Sequence, residues 1–118
     1  MVKDIQISKN DVIRVDLSGG LDSEQGGIRY AVVLQNDKGN RFSSSTIIVP
    51  MTTKMKKADL PTHTIIKKDN ENGLKADSMF LGEQIRVISK KRILGRVGRI
   101  TNTMILNNMR RAYEANFM

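Results

Sequence analysis

Mainly β with one C-terminal helix is the fold class this sequence predicts, arranged as a small, strongly bent antiparallel sheet or barrel with the helix packed on it. Three observations carry that reading. Short apolar runs rich in Val and Ile alternate with polar residues at a period of two. Breaks rich in Gly, Asn, Asp and Lys separate the runs. Only the last segment changes to near-helical spacing. With 118 residues and 39% apolar content, the chain supports one modest core, so residues 1–118 form a single domain.

Along the chain, Val12–Leu17 sets Ile13, Val15 and Leu17 against Arg14 and Asp16, the pattern of a half-buried strand. The stretch from Ser18 to Gly27 is too glycine-rich for a helix and reads as a long loop. Tyr30–Gln35 and Thr46–Met51 are β-branched runs, and Asn36–Asn40 between them carries hairpin-type turn residues. Thr62–Ile66 predicts a further strand, bounded by Pro61 and the polar Lys67–Gly73 turn. Met79–Leu81 and Gln84–Ile88 follow, the latter with Ile85 and Val87 set against Arg86. Leu94–Ile100 alternates around Gly95 and Gly98, which suggest bending or close packing. Thr101 is placed to cap a helix in which Met104, Ile105, Met109, Ala112, Tyr113 and Asn116/Phe117 recur at near-helical spacing. Arg110 and Arg111 lie in its C-terminal half, where cations suit the helix dipole.

Composition removes several classes of function. No apolar run approaches the roughly 20 residues of a membrane helix, and no apolar segment follows Met1-Val2-Lys3-Asp4 to suggest a secretory signal. There is no cysteine, so disulfides, thiol chemistry and the usual structural-zinc ligands are excluded; a cytoplasmic setting is the expectation. No His and carboxylate cluster has metal-ligand spacing, and no phosphate-loop motif occurs, so neither metal nor cofactor is expected. A lone histidine, His63, excludes a two-histidine ribonuclease mechanism within one chain. It reads as structural or exposed before it reads as catalytic.

The net charge of +8 is unevenly placed. Residues 1–84 hold 12 Lys and Arg against 11 Asp and Glu, whereas residues 85–118 hold eight against Glu114 alone. This asymmetry points to a polyanionic partner, nucleic acid or an acidic peptide, with a merely solvated basic face as the alternative. Arg86, the Lys90-Lys91-Arg92 turn, Arg96 and Arg99 supply most of it.

The most informative stretch is Ser23-Glu24-Gln25-Gly26-Gly27-Ile28-Arg29, which leads into the apolar run Ala31–Leu34. Its glycine pair permits a tight turn and close approach to a ligand. Arg29 stands at the start of a strand, where its guanidinium fork can face a phosphate or pair with a carboxylate such as Glu24. Thr52 closes the Ile47–Met51 run; such a threonine either ends a turn or offers its hydroxyl to a ligand.

The segments Asp11-Val12, Ser23-Glu24-Gln25-Gly26-Gly27 with Arg29, and Val32–Asp37 resemble the MazF/PemK (Kid) family of type II toxin endoribonucleases. So do Gly39–Ser43, Leu60-Pro61-Thr62-His63, Asp77-Ser78 and Glu83-Gln84-Ile85-Arg86, all in order at family-like spacing. The likeness runs from Asp11 nearly to the C-terminus. It implies an SH3-like barrel of the MazF/CcdB toxin type. It also implies a homodimeric, metal-independent, sequence-specific ribonuclease that cuts single-stranded mRNA to 2′,3′-cyclic phosphate and 5′-hydroxyl ends. By the same resemblance the catalytic arginine and threonine fall on Arg29 and Thr52, Gln84 falls near the RNA, and Ser18–Gly27, with Ser23, Gln25, Gly26 and Gly27 as RNA-binding positions, is the loop flanking the cleavage site. Glu24 reads as the candidate proton acceptor and Arg86 as a basic residue to contact RNA. The partner implied is a MazE-like antitoxin whose acidic tail occupies the RNA site, the pair binding DNA together and the free toxin inhibiting growth. Tyr30 replaces a proline common after the arginine, and Asn10 a glycine common before Asp11. A CcdB-like poison of gyrase on the same fold is the alternative, though it would not need Arg29 and Thr52 together. A non-catalytic RNA-binding barrel fits less well, because only five aromatic residues are present for stacking.

Overall fold

In the computed structural model, which describes residues 5–19, 26–55 and 60–118, β-branched alternation becomes strand wherever the sequence carries it. The strands are β1 (Asp11–Asp16), β2 (Ile28–Val33), β3 (Ser45–Thr52), β4 (His63–Ile66), β5 (Ser78–Leu81), β6 (Arg86–Ser89) and β7 (Ile93–Arg99). All pair antiparallel in the order β4-β5-β3-β2-β1-β7, with β6 also on β3. Strand β3 changes partner along its length: Ser45–Ile48 pair with β6, and Met51 and Thr52 pair with β5. Pro50 falls between those two ladders, opposite Ala31 on β2. It has no N–H to give, and there the second edge of β3 asks for none.

Both faces of this bent sheet are apolar, because alternate residues of each strand point to opposite sides. On one face Ile13, Val15, Ala31, Val33, Ile48 and Ile88 are buried together, with Ile5 and Ile7 packed against them. On the other, Val12, Val32, Val49, Met51, Phe80 and Ile100 form a core closed by Met109 and Ala112 of helix α2 (Thr103–Glu114). Ile105, Leu106 and Tyr113 extend that helical stripe. The helix rests directly on Gly82, where an added Cβ would lie 2.8 Å from the Ala112 carbonyl oxygen and 2.7 Å from that of Thr62. Asn116 Nδ2 donates to the Gly82 carbonyl at 2.8 Å and fastens the helix end.

Four expectations change. Asn36–Asn40 is not a hairpin turn: Asn36 Oδ1 accepts the Gly39 N–H at 2.8 Å and caps a short helix, α1 (Asp37–Phe42). Asn40 on that helix is buried, donating to the Gln35 carbonyl and accepting from the Thr46 hydroxyl. Helix α2 is capped by Asn102, whose Oδ1 accepts from Ile105 N at 3.1 Å, rather than by Thr101, and Met104 and Phe117 are exposed rather than part of its buried stripe. Gln84 belongs to a 3₁₀ turn, Gly82–Gln84, and the face of β6 is the reverse of that expected. Ile88 is buried and Val87 exposed, since Arg86 and Ile88 sit opposite Ile48 and Thr46. Finally, Arg96 and Arg99 are not free basic residues on β7. Both guanidiniums bind the buried Asp11 carboxylate, at 3.2 Å and 3.0 Å, and tie β7 to β1 beside two register shifts.

Asn10 explains its own place before β1. It is the non-glycine residue with positive φ among those described, at 74°, and its N–H donates to Val33 O at 2.7 Å while its carbonyl accepts from Ile100 N. The left-handed region costs most L-residues about 1–2 kcal/mol and is cheapest for Gly and Asn. Asn10→Ala should therefore lower stability by about 1 kcal/mol, and Asn10→Gly should stay within about 0.5 kcal/mol of the parent. Equilibrium urea unfolding of the three proteins measures both.

Candidate active site

Arg29 is the second residue of β2, and the backbone before it is set by glycine chemistry. Gly27 has φ +73°, and its carbonyl accepts the Leu17 N–H at 2.8 Å, closing the base of the segment between β1 and β2. Arg29 Nε donates to the Gly26 carbonyl at 3.0 Å, so the side chain is steered by the loop end that precedes it. Its two terminal nitrogens have no hydrogen-bond partner among the described residues. A guanidinium fork at this place carries paired donors of the kind that meet an anion.

Thr52 ends β3 and is 4% exposed. Its Oγ1 accepts the Lys54 N–H at 3.1 Å. A hydroxyl that accepts in this way still has its own hydrogen to donate. The β2–β3 ladder pairs Val33 with Ile48, Val32 with Val49 and Ala31 with Pro50. The ladder ends at Ala31 and Pro50; by strand alternation Arg29, two residues before Ala31, and Thr52, two residues after Pro50, belong to the same face. Arg86 is opposite Ile48 and so shares that face. Gln84 lies in the turn between β5, whose Met79 pairs with Thr52, and β6, which begins at Arg86. Arg29 and Thr52 thus stand near adjoining ends of β2 and β3, with Gly26 and Gly27 just before β2, while Gln84 lies in the β5–β6 turn and Arg86 opposite Ile48, further along β3.

Ser23, Glu24 and Gln25 lie outside the described residues, so their expected place beside Arg29 is not described. The His63 side chain is 4% exposed, and Nε2 stands 2.9 Å from Glu83 Oε2, linking β4 to the turn that carries Gln84. Among the described residues, no group of three or more His, Cys, Asp or Glu could hold a metal ion. No helix there is long and apolar enough to cross a membrane. A groove of 760 Å³ bordered by Ile7, Arg41, Ser89 and Lys91 lies toward the opposite end of β3, and none of the expected site residues lines it. Asp11 is the buried charge that sequence reasoning missed. An apolar strand opened by Asp and a distant strand with two Arg at a spacing of three held the signal, but only pairing of β1 with β7 joins them.

Comparison with known proteins converges on one group. The family model of PemK-like, MazF-like toxins of type II toxin-antitoxin systems matches residues 8–112. Endoribonuclease EndoA of Bacillus subtilis (strain 168) is 41% identical over 99 residues, 84% of each chain. The crystal structure of MazF (Form-I) from Deinococcus radiodurans superposes with a TM-score of 0.80 at 17% identity, covering 97% of this chain and 98% of that one. An endoribonuclease in complex with its cognate antitoxin, from a mycobacterial species, gives a TM-score of 0.74 at 18% identity over 94% of both chains. At those identities the two structures establish likeness of fold.

Proposed function

We propose, from the premise that this chain belongs to the PemK-like, MazF-like family of type II toxins and is an endoribonuclease of that family, that it cuts single-stranded mRNA sequence-specifically and without a metal ion. The observation that supports the proposal is that Arg29 and Thr52 stand near adjoining ends of the paired strands β2 and β3. RNA contains its own nucleophile. Its 2′-oxygen attacks the adjacent phosphorus, the bond to the 5′-oxygen breaks, and the products are a 2′,3′-cyclic phosphate and a 5′-hydroxyl. The enzyme then has to stabilise the extra charge on the phosphoryl oxygens, accept the 2′-OH proton and supply one to the leaving oxygen.

Arg29 suits the first of these tasks. A guanidinium gives paired, charge-assisted donors to a phosphoryl group and remains cationic throughout. Its Nε bond to Gly26 orients the fork beforehand, so little reorganisation is required during reaction. Thr52 donates its hydroxyl hydrogen to the same group or orients the 2′-OH. Glu24, the carboxylate of the segment before Arg29, accepts the proton. Ser23, Gln25, Gly26, Gly27, Gln84 and Arg86 hold the RNA on either side of the scissile bond.

The same reading makes the protein a homodimer held inactive by a MazE-like antitoxin, the two binding DNA together; a solved mycobacterial relative carries its cognate antitoxin. Release of the free toxin in the cytoplasm would arrest growth through mRNA cleavage. Thr52→Ala should slow single-turnover cleavage by ~10², at the lower end of what one lost donor costs, while Thr52→Ser should retain most of the rate. Equal rates for the parent and a folded Thr52→Ala protein would remove Thr52 from the mechanism.

A further inference from the structure

We propose that Arg92 is a positioning residue for Arg29, clasping the stem of the segment that joins β1 to β2. Its Nη1 donates to the carbonyls of Asp16, at 3.1 Å, and Ser18, at 3.3 Å. These contacts span 76 and 74 residues of sequence and come from the 3₁₀ turn Lys90–Arg92, between β6 and β7. A turn that reads as generic basic surface therefore reaches across the sheet to hold one short stretch of backbone.

From that stretch the connection to Arg29 is short. Asp16 pairs with Ile28 in the β1–β2 ladder, and Val15 pairs with Arg29 itself. Leu17, between the two clasped carbonyls, donates its N–H to Gly27 O, and Gly26 O receives Arg29 Nε. The stem is fixed from its other side by the Asp16 carboxylate, which accepts the Ser18 N–H at 2.9 Å and the Ser18 hydroxyl. Those two bonds, with a further contribution from the Arg92 charge, hold the Asp16 carboxyl below its ordinary pKa. Arg92 thus fixes where Gly26 and Gly27 sit, and they fix the direction of the Arg29 fork.

The inference rests on the reading of Arg29 as the phosphate-stabilising group, and its test separates the two. Single-turnover RNA cleavage is measured for the parent, Arg92→Gln, Arg92→Lys and Arg29→Ala, with Arg110→Gln as the control for loss of one surface charge. Arg92→Gln should lower kcat about tenfold to a hundredfold, the cost of a small misplacement, with KM nearly unchanged. Arg92→Lys, which keeps a donor, should recover part of the rate, and Arg110→Gln should match the parent. In an Arg29→Lys background the Arg92→Gln loss should shrink, since both act on one group. Parental kcat in folded Arg92→Gln, a loss confined to KM, or full additivity with Arg29→Lys would overturn the proposal. If Arg92→Gln does not fold, Arg92→Lys carries the test alone: a lowered kcat at unchanged melting temperature supports it and a parental kcat refutes it. Parental cleavage by Arg29→Ala would instead refute the reading of Arg29, whatever Arg92 does.

Discussion

Arg29→Ala is expected to reduce RNA cleavage by ~10²–10³, about 3–4 kcal/mol of lost transition-state stabilisation, with the fold unchanged. The fold should survive because the side chain makes one described hydrogen bond, from Nε to a loop carbonyl, and contributes to neither apolar core. Both neighbours in the sheet are held by other residues: β1 through Val12–Asp16 and β3 through Ala31–Val33. The activity should fall because Arg86, Arg96 and Arg99 are placed otherwise. Arg86 is paired with Ile48, further along that face, and Arg96 and Arg99 are bound to Asp11. The loss should appear in kcat, since the phosphoryl charge that Arg29 meets develops only in the transition state. A circular dichroism spectrum and melting curve that match the parent, beside a rate lowered to this extent, are the expected pair of results.

The largest stability effect is expected at Phe80. It is fully buried on β5, paired with Met51 on one side and Thr64 on the other, at the centre of the core beneath α2. Phe80→Ala removes a ring that closely packed strands and the helix cannot collapse to fill, so a loss of about 3–5 kcal/mol is expected. Against a typical total of 5–15 kcal/mol for a domain, that leaves a marginal protein. Phe80→Leu, which keeps most of the volume, should lose roughly 1.5 kcal/mol or less. Urea midpoints with a shared slope separate the two. A loss below about 1 kcal/mol for Phe80→Ala would mean that α2 does not close this core.

Much of the fold was legible because the signal is local. Ile13, Val15 and Leu17 alternate with Arg14 and Asp16, and period two leaves a half-buried strand few alternatives. The terminal helix announced itself by spacing for the same reason. Helix α1 did not: Asn36-Asp37-Lys38-Gly39-Asn40 has the composition of a turn, and what makes it helical is the Asn36 cap together with burial of Asn40 against Thr46 and Gln35. Local propensity carries no trace of those tertiary bonds. The face of β6 was misread because Ile85, Val87 and Ile88 are all apolar, so the pattern alone does not choose between them. Pairing with β3 makes the choice and turns Val87 outward.

The candidate site divides along the same line. Arg29 with its glycine pair was visible as a motif. Its relation to Thr52 depends on the β2–β3 register, and the bonds from Arg92 to Asp16 and Ser18 depend on pairing of the first strand with the last. Asn10 has a positive φ: the chain turns left-handed there, a conformation asparagine tolerates.

The central claim is that Arg29 and Thr52 cleave RNA through its own 2′-hydroxyl, and the chemistry of the fragment ends tests it most directly. Purified protein is incubated with a long single-stranded RNA in excess EDTA, beside the Arg29→Ala variant, and the termini are identified. Discrete fragments with 2′,3′-cyclic phosphate and 5′-hydroxyl ends, formed undiminished in EDTA and absent with the variant, are the predicted result. Fragments with 3′-hydroxyl and 5′-phosphate ends, or cleavage abolished by EDTA, would contradict it.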